Sequence, residues 1–217
     1  MDLYTYFRSS AAFRVRIALA IKNVSYRAVP VNLRLAGGEH RTAAYLERNP
    51  QGLVPALDVG AAVLSQSLAI IEYLEETRPS PPLLPQGSLE RAQVRAMALG
   101  VACDIHPLNN LRVLEYLRGP LRQPQAAVQA WYEHWIATGL NGLESLAKRH
   151  SAAGRHLFGD SVTLADVCLV PQIANARRFK CDLSLYPTLV GIDAHLAALA
   201  PFAASRPELQ PDAEPGS

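Results

Sequence analysis

The chain has 217 residues, 49% of them hydrophobic and 18% charged, with a formal net charge of +2. The apolar share is enough for a packed core and excludes a disordered chain. The near-neutral balance argues against a nucleic-acid or acidic-membrane partner. Of the cationic residues, 18 are Arg and 3 are Lys; GC-rich coding explains such a bias, which also supplies planar carboxylate clamps. Cys103, Cys168 and Cys181 form no CxxC pair and no metal spacing. That usage suits a reducing compartment, with each thiol a small core residue and no metal bound. The opening MDLYTYFRSS lacks the basic and apolar regions of a secretory signal. No apolar run reaches the ~18 residues of a membrane span, so a soluble, cytoplasmic protein is expected.

In chain order, Leu3 to Tyr6 is strand-sized and runs into the polar turn Arg8-Ser9-Ser10. From Ala11 to Lys22 there is neither Gly nor Pro, and Phe13, Ile17, Ala20 and Ile21 share one helical face. Tyr26 to Val31 reads as a second strand, and Asn49-Pro50-Gln51-Gly52 as a turn. Ala56 to Val59, Gly60 and Ala62 to Leu64 read as a hairpin, followed by a helix over Ser67 to Glu76 with Ser67 as its N-cap. Four prolines between Thr77 and Gly87 exclude helix or central strand and predict a semi-rigid linker. Beyond it, segments near 88–118, 125–150, 163–179 and 188–203 read as helices. The expected fold is α+β: a thioredoxin-like domain over 1–80, a linker over 81–87 and an all-α domain over 88–217.

Three places can carry chemistry. The turn at Ser9-Ser10 sets two hydroxyls where a helix presents its positive end, which would lower the pKa of a thiol placed there. Val54-Pro55 precedes a strand, and a Pro there can be cis and turn the neighbouring backbone outward for an extended peptide. Gln66-Ser67 opens a helix, a natural site for a carboxylate. A thiol site, a peptide-pairing edge and a carboxylate site match the needs of a γ-Glu-Cys-Gly ligand. Against these stand ordinary readings: a capping Ser, a trans Pro, and a structural Asp166 in the capping box Thr163-Leu164-Ala165-Asp166. Trp131 and Trp135, four apart on one helical face, read as packing.

The run from Tyr6 to Leu19, YFRSSAAFRVRIAL, resembles the signature of zeta-class glutathione transferases, as do Asn49-Pro50 through Val54-Pro55, Gln66 to Glu76, Thr163 to Gln172 and Asn175 to Lys180. The likeness covers nearly the whole chain and implies the glutathione transferase fold, glutathione as cofactor and a homodimer. It makes Ser9 and Ser10 the thiol-side residues, pairs Val54 with the cysteinyl backbone at the Pro55 bend, and puts the γ-glutamyl end at Gln66 and Ser67. His40, His106 and Asn110 fall at further glutathione contacts. The reaction implied is cis–trans isomerisation of a small dicarboxylate through reversible thiolate addition to its double bond. Arg8, Arg112 and Arg178 are the expected carboxylate clamps, Arg8 also serving catalysis. Arg177 is expected to face solvent, and Arg14 and Arg16 to serve a domain or subunit interface. The family usually carries Ser-Ser-Cys where this chain has Ser9-Ser10-Ala11, so no protein cysteine can be essential at that turn. Ala11 and the arginine-rich pocket favour maleylpyruvate over maleylacetoacetate; conjugation or dehalogenation by the same thiolate is the rival chemistry.

Overall fold

The computed structural model describes residues 1–214. They form two compact units, Met1–Leu83 with the segment from Ala198 onward, and Leu84–Ala197. In the first unit, β1 (Asp2–Thr5) buries Leu3, Tyr4 and Thr5 in succession, the pattern of a strand covered on both faces. The crossover through α1 (Ser10–Ile21) brings β2 (Arg27–Pro30) back parallel to β1. A short helix, α2 (Ala43–Leu46), precedes the hairpin of β3 (Ala56–Asp58) and β4 (Val63–Ser65), which adds antiparallel to β1 in the order β2-β1-β3-β4. α3 (Ser67–Thr77) closes the β-α-β, β-β-α sequence.

Helix α1 is buried almost all round, including Arg14 and Arg16, each only 1% exposed. The hydrogen-bond partners of Arg16 lie inside the first unit, where an interface role was the expectation. The Arg16 guanidinium donates to the Ser205 carbonyl (3.1 Å), the Thr5 hydroxyl (3.2 Å) and the Phe7 carbonyl (3.1 Å). Burial pulls its pKa down to about 10, which leaves it a cation at neutral pH. The partner Ser205 follows α9 (Ala200–Ala204), which packs on α1.

The C-terminal segment therefore belongs with the first unit, whereas a helical domain running unbroken from 88 to 217 was the sequence expectation. The helix expected over 188–203 stops at Ala197 and resumes as α9, with Pro201 in its first turn, where a missing N–H costs no helical bond. The proline-rich connection is also tied down. Glu75, paired with the buried Lys22 at 2.5 Å, accepts from the Leu83 N–H, while Lys22 donates to the Pro81 carbonyl at 2.6 Å.

The second unit is helical: α4 (Ser88–Leu99), α5 (Leu111–Arg118), α6 (Gln125–His150), α7 (Leu164–Arg178) and α8 (Pro187–Ala197). The stretch expected as one helix over 88–118 is broken by a wide π-type turn at Gly100–Ile105 and a tight turn at Pro107–Asn109. Glu144 on α6 accepts from the Thr188 and Leu189 N–H groups at 3.2 and 3.0 Å, so it caps α8 from another helix. No helix among the described residues is long and apolar enough to cross a membrane.

Gly139 lets α6 approach the π-type turn. A Cβ there would lie 2.1 Å from Cγ1 and 2.3 Å from Cδ1 of the fully buried Ile105. Gly139→Ala is expected to cost about 1–3 kcal/mol through overpacking, read by urea denaturation. The loss should shrink in an Ile105→Ala background, where the obstructing atoms are gone.

Candidate active site

The Arg8-Ser9-Ser10 turn follows from how α1 begins. Ser9 is the N-cap, with extended backbone (φ −72°, ψ 115°), and its Oγ accepts from the Ala12 N–H at 3.1 Å. Its own N–H donates to the Tyr6 carbonyl at 2.9 Å. The hydroxyl thus spends a lone pair on the cap and keeps its proton to donate. The N–H groups of Ser10 and Ala11 lie in the first turn, where no helical carbonyl reaches them. Hydroxyl, amides and dipole together suit an anion. The approach is held from both sides at Phe7: its N–H donates to Asp212 Oδ2 at 2.9 Å, and its carbonyl accepts from Arg16. Arg8 lies over the Phe7 ring, 4.9 Å from the centroid, and pairs with Glu214 at 3.4 Å.

The sheet register places the other two features at the same end. Tyr4 is opposite Ala56, and Ala56 opposite Ser65, so the exit of β1, the entry of β3 and the exit of β4 coincide. Val54 and Pro55, joined by a cis bond, stand just outside the ladder at the entry of β3. Two donors hold the carbonyl before them: Tyr45 Oη at 2.6 Å and Asn49 Nδ2 at 2.7 Å from Leu53 O. Burial pushes the Tyr45 phenol up to about 12, so it remains a donor.

At the exit of β4 the cap position belongs to Gln66, with φ +66°, and Ser67 is the first helical residue of α3. Ser67 was expected to be the cap; the turn out of β4 needs the left-handed backbone one residue earlier. Gln66 Nε2 donates to Gln51 Oε1 at 2.8 Å. The Arg14 guanidinium reaches Ser67 Oγ at 3.4 Å, adding positive charge to the positive end of α3. His40 is buried and packs over Gly38, where φ is +97° and a Cβ would lie 2.3 Å from the imidazole. Its backbone carbonyl lies against Gly52 of the Asn49–Gly52 turn.

His106, Asn110, Arg112 and Arg178 are in the second unit. His106 ends the π-type turn, its N–H donating to the Val101 carbonyl at 3.0 Å. Asn110 caps α5 through the Arg112 N–H (3.2 Å), and the Arg112 side chain is exposed. The turn between His106 and Asn110 is fastened to α6: Trp131 Nε1 donates to the Leu108 carbonyl at 2.9 Å, and Asn109 Nδ2 to the Tyr132 carbonyl at 3.2 Å. The Tyr132 ring stacks on Phe179 at 3.9 Å, and the exposed Arg178 lies 5.1 Å over that same ring. Arg177, expected to face solvent, is half-exposed but pairs with the buried Asp193 of α8 at 2.5 Å. An acid sixteen residues on, across a helix–helix contact, leaves no local signal.

The fold therefore gathers Arg8, Ser9, Ser10, Val54, Pro55, Gln66 and Ser67 at one end of the sheet, with His40 beside the turn that feeds it. Four residues there went unassigned in the sequence: Tyr45, Asn49, Gln51 and Asp212. Asn49 and Gln51 sit in a turn motif that was visible, but their side-chain partners were not. Asp212 is 205 residues from Phe7.

Residues 8–77 match the glutathione S-transferase N-terminal domain model, and 129–180 the C-terminal domain model. The probable maleylacetoacetate isomerase of Vibrio cholerae is 52% identical over 97% of both chains. A holo structure of a bacterial zeta-class maleylpyruvate isomerase superposes with a TM-score of 0.95 at 48% identity, covering 99% of this chain and 100% of that one. The maleylacetoacetate isomerase of Methylobacterium extorquens AM1, solved with malonate and glutathione, gives 0.93 at 40% identity over 99% and 100%. With likeness of that extent over nearly the whole chain, it belongs to the zeta-class glutathione transferases.

Proposed function

We propose that this protein is a glutathione-dependent cis–trans isomerase whose substrate is maleylpyruvate. The observation that carries the reading is the register that sets Ser9-Ser10, Val54-Pro55 and Gln66-Ser67 at one end of the sheet. The donor set fits the tripeptide: hydroxyl and amides at the mouth of α1 for a thiolate, a strand entry at Val54 for a peptide backbone, and Ser67 with Arg14 for a carboxylate. His40, His106 and Asn110 are further contacts in this reading. When bound, glutathione supplies the nucleophilic sulfur that makes the substrate double bond transiently single, so that it can rotate.

The chain's residues make this work near neutral pH. A thiol must lose its proton from an ordinary pKa of ~8.5, and each unit of depression needs ~1.4 kcal/mol of support for the anion. Ser9 donates its proton toward the sulfur, and the first-turn N–H groups add their field. Arg8, Arg112 and Arg178 bind the two carboxylates and steady the negative charge that the substrate acquires. Relatives bearing both isomerase names support the reaction class. Ala11 and the arginine supply favour the more compact dianion. A homodimer in the cytoplasm belongs to the same reading, supported by family membership.

An ultraviolet assay of maleylpyruvate and maleylacetoacetate with catalytic glutathione tests this. Faster turnover of maleylpyruvate with no net loss of glutathione is expected; equal turnover removes the substrate assignment, and stoichiometric consumption of glutathione points to a conjugating transferase. Arg8→Ala, Arg112→Ala and Arg178→Ala should each raise KM about tenfold or more while glutathione affinity persists.

A further inference from the structure

Residues 212–214 reach the turn ahead of α1. Asp212 Oδ2 accepts the Phe7 N–H at 2.9 Å, and Asp212 Oδ1 is buried with no hydrogen-bond partner among the described residues. The charge of Arg16, which grips the Phe7 carbonyl, also acts on Asp212. Two residues further on, Glu214 sets its carboxylate 3.4 Å from the Arg8 guanidinium. Asp212 is thus held by one hydrogen bond near the Arg16 charge, whereas the Arg8–Glu214 pair is partly open to water, with side chains 25% and 53% exposed. A pair of that kind is weak and exchanges readily for a better carboxylate.

From this we infer that residues 211–214 form a carboxylate strap on the active-site turn, in which Asp212 is a positioning residue for the Ser9 corner and Glu214 a placeholder on Arg8 that the substrate carboxylate must displace. The placeholder half rests on reading Arg8 as a substrate clamp. With the two peptide groups that flank the Phe7 Cα each held, one at its N–H and the other at its carbonyl, rotation of the corner between Tyr6 and Ser9 is restrained, which steadies the aim of the Ser9 hydroxyl and the first amides of α1. Glu214 keeps Arg8 paired between turnovers, and every dianion that binds competes with it.

Titration calorimetry of malonate, a non-reacting dicarboxylate, onto the glutathione-loaded full-length protein tests the placeholder. In Glu214→Gln the malonate Kd should fall about two- to fivefold, with glutathione affinity unchanged, and the gain should vanish in an Arg8→Leu background. An unchanged Kd, or the same gain without Arg8, overturns it. Thiolate absorbance near 240 nm against pH tests Asp212. Asp212→Ala should raise the pKa of bound glutathione by about half a unit or more, and Asp212→Asn, which keeps an oxygen for the Phe7 N–H, should restore most of it. An Asp212→Ala titration that overlays the wild type overturns the positioning role. If the wild type leaves maleylpyruvate unchanged, the substrate assignment falls, while the malonate and absorbance results still decide the strap.

Discussion

Replacing Asp166 with Ala is expected to cost about 3–5 kcal/mol of folding stability. The side chain is fully buried, and its two oxygens accept from the Leu157 N–H (2.8 Å), the Thr163 N–H (2.8 Å) and the Thr163 hydroxyl (3.0 Å). Removing it loses the capping box of α7 and strands two buried amides, each of which costs about 1–3 kcal/mol when left without an acceptor. Chemical denaturation at fixed pH measures the loss; a change below 1 kcal/mol would mean that water reaches those amides.

The same residue writes a pH dependence. Burial raises the Asp166 pKa to about 6 from the ordinary 3.8, despite the hydrogen bonds that pull the other way. The folded state therefore holds the proton more tightly than the unfolded chain. The associated stability is complete below about pH 3.8 and is lost as pH rises through 6, an amount on the order of 3 kcal/mol. Asp166→Asn carries no proton to lose, so its unfolding free energy should lack this decline between pH 4 and 6.

Ser9→Ala should raise the pKa of bound glutathione by about 1–2 units, the value of one hydrogen bond to a charged acceptor. Turnover at pH 7 should fall about ten- to a hundredfold with it, and absorbance near 240 nm reads the pKa directly. Ser9 has a second duty as the cap of α1, so the Ala variant should also lose about 1 kcal/mol of stability. Ser9→Thr separates the two, since its hydroxyl can still cap: stability should return while the thiol pKa reports how well the bulkier hydroxyl donates. A Ser9→Ala protein with wild-type thiolate titration would move the support for the anion to the amides of Ser10 and Ala11 alone.

The β-α-β, β-β-α order of the first unit, the Arg8-Ser9-Ser10 turn ahead of α1, the helix start near Gln66-Ser67 and the Thr163–Asp166 box are legible in the sequence alone. These are local: a cap and its acceptor lie three residues apart, and the apolar period of a helix repeats within a turn. The rest was set by long-range packing. It buried Arg14 and Arg16, sent the chain from Ala198 onward back to the first unit, paired Arg177 with Asp193 and brought Asp212 to Phe7. A charged side chain can be buried only if distant groups satisfy it, and those partners, such as the Ser205 carbonyl for Arg16, lie up to 189 residues away. No spacing rule reaches that far, because the distance between such partners is set by how the units pack internally and not by the period of any single element.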